Sequence, residues 1–161
     1  MLTPVQQQKI HHSEGSFAII ASRYNARYVD SMLAAAKRVL AKAGVKKVRV
    51  IRVPGAFEIP AVAARVALAR PPCSAMICLG VILRGQTTHA QQIADAVSMA
   101  LAQLQIQHAL PVIHEVLLLE NEAQAAARCL DKKHNRGAEA AQTALEMARV
   151  MRGLPKPMTS P

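Results

Sequence analysis

Short uninterrupted apolar runs alternate along this chain with longer stretches in which apolar residues recur every three or four positions, and that alternation predicts its elements. The run FAIIAS at 17–22 predicts a buried strand. Beyond Arg23, Tyr24 and Asn25, one helical face is marked by Met32, Ala35, Ala36, Val39, Leu40 and Ala43, and Gly44 closes that helix. Residues 48–53 are rich in β-branched side chains and read as a strand, with Pro54 and Gly55 after it. Ala63, Val66 and Ala67 then share a helical face that Pro71 and Pro72 stop. AMICLGVIL at 75–83 is too uniformly apolar for a strand with a wet face, so it is expected at the centre of a parallel sheet. After RGQTTH a helix turns Ile93, Val97, Ala100, Leu101 and Leu104 inward, and 111–118 supplies the next strand. Asn121 and Gln124 resemble a capping box opening another helix. A polar, basic bend at 131–137 precedes the last helical pattern, Ala140, Ala144, Met147, Ala148 and Met151, which Gly153 and Pro155 terminate.

The repeated order of strand, loop and helix predicts one three-layer α/β/α domain with a mostly parallel central sheet. It is expected over 17–153, between a flexible arm at 1–16 and a loose tail at 154–161. Hydrophobic residues make up 52% of the chain but aromatics only 2%, so the interior must be packed with Ala, Val, Ile, Leu and Met.

A net charge of +10 raises the question of nucleic acid. Its lysines and arginines are dispersed, however, and lack aromatic interleaving, which argues for a solvated basic surface or attraction of small phosphorylated molecules. No apolar run approaches the roughly 20 residues of a bilayer span, and the polar start of the chain lacks the apolar stretch of a secretion signal, so a cytoplasmic protein is expected. The three cysteines form no C-x-x-C pair, and neither a metal cluster nor a redox pair is suggested.

Ligands of such folds gather outside the carboxyl ends of the strands, which makes the loops at 23–25, 54–60 and 84–89 the candidates. In RGQTTH, Gly85 lets backbone approach a ligand, Thr87 offers a hydroxyl, and free amides at the start of the helix suit an anion. The spacing is not that of a P-loop, and no G-x-G-x-x-G follows a strand. His89 reads either as a structural residue or as a proton-transfer group beside that anion nest. Glu58 is a helix cap, a salt-bridge partner or a binder of a polyol or amine; Phe57 serves the core or stacks on a flat heterocycle. Arg128 and Arg136 are either solvated basic residues or phosphate clamps.

SRYN at 22–25, VPGAFEIP at 53–60, LGVILRGQTTH at 79–89, PVI at 111–113, ENEAQA at 120–125 and NRGAEAA at 135–141 together resemble the lumazine synthase family. Its members condense a ribitylamino pyrimidinedione with a four-carbon hydroxyketone phosphate to form the last intermediate before riboflavin. The resemblance runs from about residue 17 to 152 and implies a flavodoxin-like fold. It implies a pyrimidine ring near Tyr24 and Phe57, with the ribityl chain along Ala56, Phe57, Glu58 and Ile59. Backbone at Val81, Ile82 and Leu83 would meet the pyrimidine edge, and Gly85, Gln86 and Thr87 would hold phosphate. His89 would relay protons, and a neighbouring subunit would supply Arg128. His114 stands where an aromatic residue of the adjacent subunit often packs on the ligand, and Arg136 where many relatives carry lysine. After His89 come Ala90, Gln91 and Gln92 in place of a common aromatic and aspartate, while Leu118 and Leu119 replace a frequent Thr-Thr pair. The resemblance further implies no metal or organic cofactor. It implies a homopentamer, in some relatives a decamer or a shell of roughly 60 subunits, with riboflavin synthase as a further partner. The changes around His89 and His114 keep a second expectation in play, a catalytically weak homologue that binds a flavin or lumazine or serves assembly.

Overall fold

Strand β3 (Ala75–Leu83) forms the middle of the sheet, because its nine residues can be buried on both faces without leaving a polar side chain unpaired. The computed structural model describes residues 15–155, so most of the expected arm and tail, at 1–14 and 156–161, lies outside the described residues. β1 (Ser16–Ser22) pairs with β3 on one side and with β2 (Lys47–Val53) on the other, while β4 (Val112–Leu119) pairs with β3. The order is β2-β1-β3-β4, and among the described residues each of the three pairings is parallel, as expected.

Helices cover both faces, completing a flavodoxin-like α/β/α sandwich. One face packs Phe17, Ile19, Ile77 and Leu79 against α1 (Ala26–Lys42), α4 (Glu122–Cys129) and α5 (Arg136–Gly153). The other packs Ile20, Met76 and Val116 against α2 (Ile59–Ala67) and α3 (His89–His108). A single 3-10 turn, Ala56–Glu58, leads into α2. α1 ends with Ala43 as its C-cap, and Gly44 follows at φ 79, a left-handed conformation that favours glycine.

Two expectations change in detail. The bend stops at Asn135, whose side chain accepts from Gly137 N at 2.9 Å; Arg136 and Gly137 already belong to the first turn of α5. Gly137 must sit there because a Cβ would come within 2.0 Å of the Met32 carbonyl oxygen, so α1 and α5 touch through backbone. At α4, Asn121 accepts from Gln124 N as a cap does, but the Gln124 side chain returns to Glu120 N rather than to the cap residue. Among the described residues no helix is long and apolar enough to cross a membrane, and no cluster of three metal-ligating side chains forms.

Candidate active site

β3 runs further than its neighbour. Pairing with β1 ends at Ala21 and Leu79, whereas pairing with β4 continues to Leu83 and Leu119. Val81, Ile82 and Leu83 therefore turn an edge toward a cavity of about 910 Å3 that all three of them line. Asn25 Nδ2 takes the Val81 carbonyl at 2.8 Å, which ties the β1–α1 turn to that edge. The turn is also bound to the end of β2, since Arg23 N donates to the Val53 carbonyl at 2.8 Å, and Tyr24 N to that of Pro54 just beyond it at 3.0 Å.

Only four aromatic side chains exist here, and they divide sharply. Phe17 and Tyr28 are buried in the core, while Tyr24 is 68% and Phe57 60% exposed, both on the cavity wall. Exposed rings beside a concave site suit a flat ligand better than they suit water. Tyr24 rests on Gly55, where any Cβ would stand 2.9 Å from the ring. Glu58 lines the same wall and bends back so that Oε2 accepts from Gly55 N at 2.8 Å, which makes it a cap of its own turn.

Gly85, Thr87 and His89 line the same cavity. The cap residue of α3, Thr88, makes no side-chain cap bond, and His89 N donates to Thr87 Oγ1 only at a long 3.4 Å. The start of this 20-residue helix thus presents amides and the positive end of its dipole to the cavity. Ala90, Gln92, Ile93 and Ala96 complete the wall. Ile93 packs against the core as expected and lines the cavity as well, while Asn25 and Gly55 belong to the loops at 23–25 and 54–60.

The remaining expected residues lie elsewhere. Ile59, the first residue of α2, is fully buried in the core, and Gln86 is exposed but does not line the cavity. His114, Arg128 and Arg136 belong to β4, α4 and α5 and do not reach this chain's cavity. His114 Nε2 lies 2.8 Å from Ser98 Oγ, whose single proton is committed to the Ala94 carbonyl at 2.7 Å. Arg128 is exposed in the last turn of α4. Arg136 is held within the chain, with Nε 2.6 Å from Glu115 Oε1 and Nη1 2.7 Å from Glu139 Oε2. Glu115, overlooked in the sequence although a charge in an apolar strand is conspicuous, is only 3% exposed. Burial pushes its carboxyl up, and the hydrogen bond and charge of Arg136 oppose that shift. Burial also raises all three thiols, Cys129 to about 11, so none offers a ready thiolate near neutral pH.

The cavity thus brings together two exposed aromatic rings, the end of β3 and the start of α3. The family model described as 6,7-dimethyl-8-ribityllumazine synthase matches residues 14–152. The chain belongs to the 6,7-dimethyl-8-ribityllumazine synthase family. A lumazine synthase of Xanthomonas oryzae pv. oryzae is 43% identical over 141 residues, covering 86% of this chain and 91% of that protein. The one from Stenotrophomonas maltophilia strain R551-3 is 42% identical over 141 residues, 86% of this chain and 90% of its own. That of Kineococcus radiotolerans is 41% identical over 139 residues, with 85% of each chain covered. Membership of the lumazine synthase family implies self-association and small-molecule substrates.

Proposed function

We propose that this protein condenses 5-amino-6-(D-ribitylamino)uracil with 3,4-dihydroxy-2-butanone 4-phosphate to 6,7-dimethyl-8-ribityllumazine, releasing phosphate and water. The observation that carries this reading is the opening of two exposed rings and an uncapped helix start into one cavity. In this reading the pyrimidine stacks on Tyr24 and Phe57, and its polar edge pairs with the backbone of Val81, Ile82 and Leu83 as an added strand would. The ribityl chain follows Ala56, Phe57 and Glu58, with Ile59 supporting that turn from the core. The phosphate lies against Gly85 and Thr87 at the start of α3, on the loop that Gln86 completes from outside the cavity.

The chemistry then follows from proximity and proton traffic. The 5-amino group attacks the ketone, and loss of water leaves a Schiff base. Elimination expels phosphate as its C–O bond breaks, and ring closure by the ribityl-bearing nitrogen releases a second water. His89 moves protons between these steps, while fixed amides stabilise the departing anion. Arg128 and His114 act from a neighbouring copy, because neither reaches the cavity of its own chain. Met99 and Ile106, 74% and 80% exposed on α3, support burial against further copies in a homopentamer.

The decisive assay mixes purified protein with both substrates and follows lumazine absorbance and inorganic phosphate together. One phosphate released per lumazine, above the uncatalysed background, is expected. A second reading, a binding protein of low activity, draws on the absence among the described residues of any carboxylate hydrogen-bonded to the His89 imidazole. Tight product binding with no rate enhancement would establish that reading and overturn the first.

A further inference from the structure

Gln91, two residues after His89, turns to Arg84. Its amide oxygen accepts from Arg84 Nη2 at 2.8 Å, and its amide nitrogen donates to Asp95 Oδ1 at 2.8 Å. Arg84 Nε reaches in another direction, to Glu120 Oε1 at 2.8 Å, and Arg84 N donates to the Leu119 carbonyl at 2.8 Å. Glu120 is itself steadied, its N–H donating to Gln124 Oε1 at 2.9 Å inside the cap of α4. One guanidinium thus fastens the end of β3 both to the first turn of α3 and to the β4–α4 turn.

The segment between Arg84 and Gln91 contains Gly85, Thr87 and His89 of the cavity wall, whereas Arg84, Gln91, Asp95 and Glu120 do not line the cavity. Packing does little to hold this segment from the side of Gly85, since a Cβ there would meet nothing within 4 Å. Ordering a loop around an anion costs conformational entropy, and a strap tied outside the cavity meets that cost before the ligand arrives.

We infer that Arg84, clamped by Gln91 and Glu120, is a positioning residue that preorganises the phosphate loop. The inference rests on reading this loop as the phosphate site. It explains why a neutral amide works two residues after the histidine: it accepts from Arg84 and donates to Asp95 at once, which no carboxylate can do while ionised.

Charge and strap make opposite predictions at Glu120. Removing an acid near a phosphate site should tighten anion binding if electrostatics alone matters, but should loosen it if the acid holds the strap. In the full-length protein, Gln91→Met and Glu120→Ala are compared with wild type for inorganic phosphate Kd and for the KM of each substrate. Both variants are expected to raise phosphate Kd and the KM of the phosphorylated substrate about fivefold and to leave the pyrimidine KM within about twofold. Because the ties are surface-exposed, both variants should fold, and thermal unfolding checks that. Tighter phosphate binding by Glu120→Ala, unchanged binding in both variants, or no phosphate binding by wild type would overturn the strap. Absent turnover with the expected phosphate shifts would instead defeat the activity and leave the strap standing.

Discussion

The two faces of the sheet are built to different tolerances. Toward α1, α4 and α5 the packing is closed: Gly137 meets the Met32 backbone, small alanines such as Ala36, Ala140 and Ala144 fill the seam, and the buried Glu115 is matched by Arg136. Toward α2 and α3 the sandwich is left open at its carboxyl end, where Tyr24 and Phe57 stay exposed and the first turn of α3 faces a cavity. Stability is concentrated where no ligand enters, and polar groups are left for a ligand where packing is relaxed.

Substitutions should separate the two faces. The largest effect is expected for Gly137→Ala, because the new methyl collides with main chain that cannot rotate away; about 3 kcal/mol or more of stability should be lost, read from the urea midpoint. A shift under about 0.5 kcal/mol would mean that α1 and α5 are not in backbone contact.

Next comes Arg136→Met, which strands a buried carboxylate and should cost about 3 kcal/mol near pH 8. Its pH dependence has a definite sign. Burial already places the Glu115 pKa above its unfolded value, and losing Arg136 raises it further. The folded variant consequently takes up that proton first as pH falls, so its deficit is full above the folded pKa and shrinks below it. Urea unfolding at about pH 8 and about pH 5 should show the gap to wild type narrowing in acid; a constant gap would count against a buried, ionised Glu115.

The smallest of the three in free energy is His89→Ala on the open face, expected to lower kcat about a hundredfold while moving stability by less than about 0.5 kcal/mol. Equal loss of stability and activity would erase the division of labour between the faces.

Much of this was legible in the chain. Uniform apolarity marked β3 as central, and the three- and four-residue recurrences located the helices, because burial on one face leaves a periodic trace. The loops at 23–25, 54–60 and 84–89 were singled out as strand ends, and they do converge on one cavity. Less legible were partners across the fold. Nothing local announces that Arg136 will spend its guanidinium on Glu115, or that Gln91 will turn to Arg84, since each pair joins segments whose approach depends on the packing of whole elements. Ile93 faces inward and packs on the core as its helical phase requires, but that it also lines the cavity could not be read from periodicity, because the face it shares is core at one end and cavity wall at the other.

Periodicity, turn chemistry and motif spacing are properties of neighbours along the backbone, so element types, the parallel α/β plan and the loops that carry chemistry could be read directly from residue order. Which side chains pair, which carboxylate is buried, and which ring stays in water depend on contacts between residues far apart in the chain. Those contacts come into being only when helices settle on both faces of the sheet, and their energies decide among arrangements that local pattern leaves equal.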